Sequence, residues 1–224
     1  KKWYDSNDFI ATISKVTSDI VKNVSPEVEE MYIPHMTDTN IFCKNPMANQ
    51  SVQNFRQLSF GLTPEQDEHT TVFFWNNRNA RRKMSGTVLW WFSEFLDKVG
   101  NDKAKLVMLT DPRDAHGQDL VHLMEQLNLT SGQVMLSNQK LPPQQLAMLY
   151  ASADCTVNIA DAEGFGLATF ESLACETPVI VNMTGGLQEQ VTDGKNWFGV
   201  GIEPTSKSII GSQEVPYIYE DRVS

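Results

Sequence analysis

The chain is poor in the features of a disulfide scaffold, a zinc protein, a membrane span or a nucleic-acid coat. Its three cysteines, Cys43, Cys155 and Cys175, are scattered along 224 residues. No Cys-x-x-Cys pair occurs, so neither a disulfide framework nor a zinc site is suggested. No apolar run is long enough to span a bilayer. Lys1-Lys2-Trp3-Tyr4-Asp5 leads into no signal-peptide core, so a cytoplasmic location is the default expectation. Asn-x-Ser/Thr triplets begin at Asn23, Asn49, Asn128 and Asn182; without a secretory signal they read as chance. Basic residues are scarce, with 18 Lys and Arg against 28 Asp and Glu and a net charge of -10. That balance repels a phosphate backbone at long range and argues against coating nucleic acid. Any anionic ligand therefore needs a local basic cluster. Asp-x-Asp is absent, so no carboxylate pair for a nucleotide-bound metal is in sight and no metal site is expected.

Hydrophobic residues make up 41% of the chain, an ordinary globular share. From about residue 70, short apolar runs alternate with amphipathic ones. The apolar runs lie at residues 71–75, 106–110, 134–137, 155–160, 178–182 and 198–202. Several lack polar alternation, which suits strands buried on both faces of a parallel sheet. Between them Val88, Trp91, Phe92, Phe95 and Val99 recur at helical spacing before Gly100, and further helical patterns fall near residues 119–129, 142–150, 167–175 and 187–191. The expected fold is α/β, a doubly wound parallel Rossmann-like sheet. Residues 8–14 read as a strand, 15–22 as a helix and 31–35 as an extended piece. Residues 44–69 are polar without a strong period and read as linker or insertion. The end, from Glu214 to Arg222, carries no helical pattern.

In open parallel sheets ligands bind at the carboxyl ends of strands, and three segments after apolar runs stand out there. Arg78, Arg81, Arg82 and Lys83 gather where a helix is expected to begin. That opposes the helix macrodipole, a conflict that a bound anion removes. In Glu163-Gly164-Phe165-Gly166-Leu167-Ala168-Thr169-Phe170-Glu171, two glycines let backbone approach a ligand, and two carboxylates can accept from sugar or ribose hydroxyls. A glycine turn with solvated acids explains the same residues about as well. Asn182-Met183-Thr184-Gly185-Gly186 is either an N–H-rich anion nest or an ordinary strand-to-helix turn. His35 reads as a packing or surface residue, with a polar hinge residue as the weaker alternative. No Gly-x-Gly-x-x-Gly follows the strand at 71–75, and cations stand in its place, which argues against a dinucleotide-dependent oxidoreductase.

Together these residues resemble the retaining GT-B glycosyltransferases of family 4, the glycosyl transferase group 1 type. Glu163 and Glu171 reproduce its Glu, seven residues, Glu element around Gly-Phe-Gly-Leu, and Arg78 and Lys83 its Arg, four residues, Lys element. Thr184-Gly185-Gly186-Leu187-Gln188-Glu189 and Val191-Thr192-Asp193-Gly194 match the next segment. Ile33-Pro34-His35-Met36 looks like the interdomain linker, with Met36 where glycine is usual. The resemblance covers about residues 8–204. It implies that residues 1–43 are a remnant of an N-terminal acceptor domain with its linker. It further implies that 70–224 form a nucleotide-sugar-binding domain lacking a closing C-terminal helix. Arg78 and Lys83 would grip the donor diphosphate, with Glu163 and the backbone of Gly164, Phe165, Gly166 and Leu167 on the transferred sugar. Glu171 would hold the ribose. The base would sit near Asn138 and Leu141, and Thr184, Gly185 and Gly186 would complete the donor site. No cofactor is implied; the donor would be a UDP- or GDP-sugar, bound without metal, and the acceptor is open. This chain alone would be inactive, and its N-terminal part could pair with a second copy. An epimerase or phosphorylase on the same fold and a non-catalytic nucleotide-sugar-binding module are the rivals.

Overall fold

All six apolar runs become strands of one parallel sheet in the computed structural model, which describes residues 1–211, 213 and 218–223. The strands are β3 (Thr71–Asn76), β4 (Ala104–Leu109), β5 (Val134–Ser137), β6 (Cys155–Asn158), β7 (Val179–Asn182) and β8 (Gly199–Ile202). Their spatial order is β5-β4-β3-β6-β7-β8. The chain therefore winds outward from β3 in one direction, returns, and winds outward from β6 in the other. The reversal opens a crevice between the carboxyl ends of β3 and β6, the place where such sheets bind ligands.

Helices cover the sheet because the strands are apolar on both faces. They are α4 (Ser85–Val99), α5 (Leu120–Gln126), α6 (Pro143–Ser152), α7 (Leu167–Ala174) and the short α8 (Gln188–Val191). Leu89, Phe92 and Leu96 of α4 pack with Trp75, Leu106 and Met108 on one face. Ala147 and Tyr150 of α6 pack with Val72, Phe74 and Val107 on the other.

Ahead of this sheet, β1 (Phe9–Thr12) and β2 (Glu29–Tyr32) form a separate two-stranded parallel sheet joined by α1 (Lys15–Val24). Glu189 of α8 fastens this unit to the larger sheet, accepting from the Val16 N–H at 3.2 Å and the Tyr32 hydroxyl at 3.4 Å.

Residues 44–69 contain more structure than their composition suggests: α2 (Val52–Phe60) and the single turn α3 (Pro64–Asp67). Ser51 caps α2 and Gly61, at φ 60°, ends it. Phe60 is buried with Phe42, Leu62 and Tyr150. Arg56 pairs with Asp67 and Asp154 and donates to the carbonyls of Ser152 and Thr70, both at 2.7 Å. The weak period has a physical cause: α2 is held by one arginine and its last turn rather than by a full apolar stripe.

After β8, β9 (Ser206–Ile210) and β10 (Ile218–Arg222) pair antiparallel. The sequence gives no sign of this hairpin, and residues 214–217 of its expected non-helical end lie outside the described residues. Among the described residues no helix is long and apolar enough to cross a membrane.

Candidate functional site

The β3/β6 crevice holds a cavity of about 470 Å³. Asn76, which ends β3, and Asn77 after it form one wall with Lys83, and β6 contributes Asn158. Glu163, Gly164, Phe165, Gly166, Leu167, Ala168 and Glu171 supply the opposite wall. Ile13 and His35 reach in from the N-terminal unit, where the His35 ring meets Phe165 edge-on at 5.1 Å. His35 thus packs, as expected, and also lines the cavity.

The local chain path explains each position. After β3 the backbone runs through a 3-10 turn at Arg81–Lys83, with Met84 left-handed at φ 56°, and α4 starts only at Ser85. The cations therefore precede the helix by a turn rather than occupying it. Asn79, fully buried, staples this loop down: its carboxamide accepts from the Ser85 hydroxyl at 2.8 Å and donates to the Gln118 carbonyl at 2.7 Å. On the other side Gly166, at φ 91°, turns the chain into α7. A Cβ there would lie 2.6 Å from Leu187, so glycine is required by both backbone and space. The N–H groups of Thr169 and Phe170 bond back to Gly166. Those of Leu167 and Ala168 precede them at the helix start, where N–H groups have no partner within the helix, and both residues line the cavity.

Each basic residue of the cluster has a protein partner. Lys83 is buried and pairs with Glu163 inside the cavity wall. Burial pushes the Lys83 ammonium below the ordinary lysine range, against the pull of Glu163. Arg82 donates to the Ala162 carbonyl at 2.6 Å and lies 3.6 Å from Glu163. Arg81 grips Glu220 through two bonds of 2.8 Å. Arg78 lies outside the cavity lining: it bonds Asp114 at 2.6 and 3.1 Å and His116 at 2.8 Å. The Arg78 contact, with the His116 N–H, holds Asp114 well below the usual carboxylate range. The conflict between cations and helix start is thus relieved by carboxylates of the protein itself.

Glu171 sits one turn into α7 and half-buried. Burial pushes its carboxyl up, while a 3.0 Å hydrogen bond from the Tyr150 hydroxyl pulls the other way. Tyr150 is fully buried and its hydroxyl also accepts from Asn76 at 2.8 Å. An unbroken polar chain thus runs from the end of β3 through α6 to Glu171. Sequence reading gave Tyr150 and Asn76 no role; the signal was a tyrosine on the buried face of α6, which needs a partner for its hydroxyl.

Asn138 and Leu141 line a second cavity of about 380 Å³ with Thr110, Asp111, Gln139 and Lys140. It shares Asn76 and Leu146 with the first. Thr184, Gly185 and Gly186 are outside the lining of either. The N–H groups of Thr184 and Gly186 are used on Asn182 and Glu163 carbonyls at 2.8 and 3.0 Å. A Cβ on Gly185 would lie 2.0 Å from the Glu163 carbonyl, and one on Gly186 2.5 Å from that of Gly164. Of the two readings of this segment, the geometry is that of a turn pressed under the Glu163 loop, which it supports from behind.

The arrangement offers a buried ammonium, two carboxylates, a helix start and an adjoining polar cleft around one crevice. Solved glycosyltransferases of the GT-B type share this doubly wound sheet. Sucrose-phosphate synthase from Thermosynechococcus elongatus superposes with a TM-score of 0.71 at 23% identity, over 90% of this chain and 46% of that one. HepE from Anabaena, in complex with UDP and glucose, gives 0.69 at 16% identity, over 88% of this chain and 50% of that one. Residues 73–210 match the glycosyl transferases group 1 family, and the chain belongs to that family. It is 31% identical to a D-inositol 3-phosphate glycosyltransferase of Corynebacterium jeikeium (strain K411) over 140 residues, 61% of this chain and 33% of that protein. It is 28% identical to an alpha-monoglucosyldiacylglycerol synthase of Streptococcus pneumoniae over 187 residues, 83% of this chain and 40% of that protein. The chain thus spans 33 to 40% of the length of these two curated relatives.

Proposed function

We propose that this chain binds a nucleoside-diphosphate sugar in the β3/β6 crevice and serves retaining transfer of that sugar to an acceptor. The observation that carries the reading is the Lys83–Glu163 pair beside the start of α7 in one cavity. A diphosphate entering there takes Lys83 from Glu163 and meets the N–H groups of Leu167 and Ala168. Glu163, released, accepts from hydroxyls of the sugar. Glu171 holds the ribose, and the base lies toward Asn138 and Leu141. Breaking the sugar–phosphate bond builds negative charge on the diphosphate. A fixed ammonium and fixed N–H groups stabilise that charge more strongly as it grows, which is electrostatic catalysis. Glu163 is a binding residue here, not a nucleophile. Arg78 lies outside the cavity lining and is more exposed than Lys83, so its contribution is smaller than that of Lys83.

The donor is a UDP- or GDP-sugar held without metal; HepE, a structural neighbour, is known with UDP-glucose. One curated relative is named as a glycosyltransferase of an inositol phosphate and another as a synthase of a glucosyldiacylglycerol, molecules of different chemistry, so the acceptor stays unassigned. Calorimetric titration of UDP and GDP into the wild-type chain and Lys83→Ala tests the reading. The expected result is binding by the wild type that falls about tenfold or more in Lys83→Ala, with nucleoside binding spared. Equal affinity of the two proteins would remove Lys83 from the diphosphate.

A further inference from the structure

We propose that the β9–β10 hairpin is a clamp on the anion-binding side of the crevice, with Glu220 and Arg222 as its positioning residues. The hairpin lies outside the six-stranded sheet, yet β10 is tied to three loops at the carboxyl ends of β3, β6 and β7. Glu220, buried, takes both terminal nitrogens of Arg81 at 2.8 Å, two residues before Lys83. The Arg222 Nε donates to Asp161 at 3.1 Å, two residues before Glu163, and Asp161 is fully buried. Arg81 stands 4.0 Å from the same carboxylate, so the two arginines share it. Between them, the Asp221 N–H donates to the Asp161 carbonyl at 3.2 Å. The Asp221 carbonyl accepts from the Asn182 amide at 2.9 Å, and its carboxylate from the Thr184 hydroxyl at 3.1 Å. Thr184 opens the turn that supports Glu163 from behind. The Asp161 N–H in turn donates to the Arg82 carbonyl at 2.8 Å, closing the ring between the cation loop and the Glu163 loop.

Among the described residues none of β10 lines the cavity, and the hairpin reaches it through Arg81, Asp161, Asn182 and Thr184. A bidentate guanidinium–carboxylate pair fixes orientation as well as distance. A buried carboxylate between two guanidiniums holds its loop in one place, because any displacement leaves a charge unpaired in the interior. The consequence is that Lys83 and Glu163 are set at one spacing before ligand arrives. That consequence rests on the reading of Lys83 as the diphosphate cation; the clamp itself does not.

The test uses the 224-residue chain in four forms: wild type, Glu220→Gln, the charge-swapped pair Arg81→Glu with Glu220→Arg, and the double replacement Asp161→Asn with Arg222→Met. The last removes both partners together, so no charge is left buried alone. Amide hydrogen exchange without ligand is read first. The expected result is faster exchange at residues 81–84, 161–166 and 184–187 in Glu220→Gln and in the double replacement, with α6 and β4 unchanged. Faster exchange confined to residues 206–222 overturns the clamp. The affinity of UDP is then compared with that of uridine, and of GDP with guanosine. Glu220→Gln should weaken the diphosphate about tenfold while changing the nucleoside less than about twofold, and the swapped pair should recover most of the loss. Equal losses for nucleoside and diphosphate, or no loss, overturn the positioning role. Should the wild type bind no nucleoside diphosphate, the reading of Lys83 falls, and the exchange pattern alone decides the clamp.

Discussion

Glu171 carries opposite consequences for stability and for binding. Its folded-state pKa is raised by burial, so the folded chain holds that proton more tightly than the unfolded chain does. The resulting gain is present at low pH and is lost as pH rises through the raised value, which leaves a cost at neutral pH. Glu171→Gln should therefore stabilise the chain at pH 7 in denaturant unfolding, while weakening nucleoside binding by about tenfold. A stability loss at neutral pH would contradict the assigned burial cost. Ionised Glu171 is the form that accepts from ribose hydroxyls, so nucleoside affinity should fall on acidification at a pH above the ordinary glutamate range. The Tyr150 hydroxyl lowers that pKa. Tyr150→Phe keeps the ring in place and should move the acid limb to higher pH, measured with uridine or guanosine so that no phosphate titrates nearby. An unmoved limb would mean that Tyr150 only packs.

At the scale of elements, the turn after β7 makes a separable prediction. Gly185→Ala places a Cβ 2.0 Å from the Glu163 carbonyl at φ 48°, and should cost about 1–3 kcal/mol of unfolding free energy and weaken UDP or GDP. Gly132→Ala, at φ 89° with open space around it, should cost only about 1 kcal/mol and leave binding unchanged. Equal effects in both would mean that backbone strain, not the contact with Glu163, governs the turn. The six strands were legible because apolar residues without alternation have few other uses than a sheet buried on both faces. The Glu163–Glu171 wall was legible through the family resemblance, because glycines and carboxylates after a strand fit an ordinary glycine turn about as well. Three things were not. The α2 helix depends on Arg56, whose four partners are spread from Asp67 to Asp154. The separation of Lys83 from Arg78 depends on Asp114 and His116, 36 and 38 residues beyond Arg78. The β9–β10 hairpin has no period of its own beyond its cross-strand pairing and its ion pairs with distant loops. Long-range electrostatic partners leave no local pattern in a sequence.

At the scale of the whole molecule, donor binding and transfer separate. The donor contacts proposed here lie on one rigid sheet, whereas the chain spans only part of the length of its relatives. Held geometry between two reactants can be worth about 7–11 kcal/mol of barrier. A chain that fixes the donor alone should therefore bind it and transfer little or no sugar; efficient transfer by the 224-residue chain would place an acceptor site within it. The recognition of a nucleoside diphosphate by side-chain cations and helix N–H groups in the β3/β6 crevice, as proposed, is open to a simpler measurement. It is tested most directly by thermal unfolding of the wild-type chain in chelator with UDP, GDP or NAD. The expected result is protection by UDP or GDP, about 2.7 kcal/mol at a hundred times the dissociation constant, unchanged when magnesium or manganese replaces the chelator. Protection by NAD alone, or protection by UDP and GDP only when metal is restored, would contradict it.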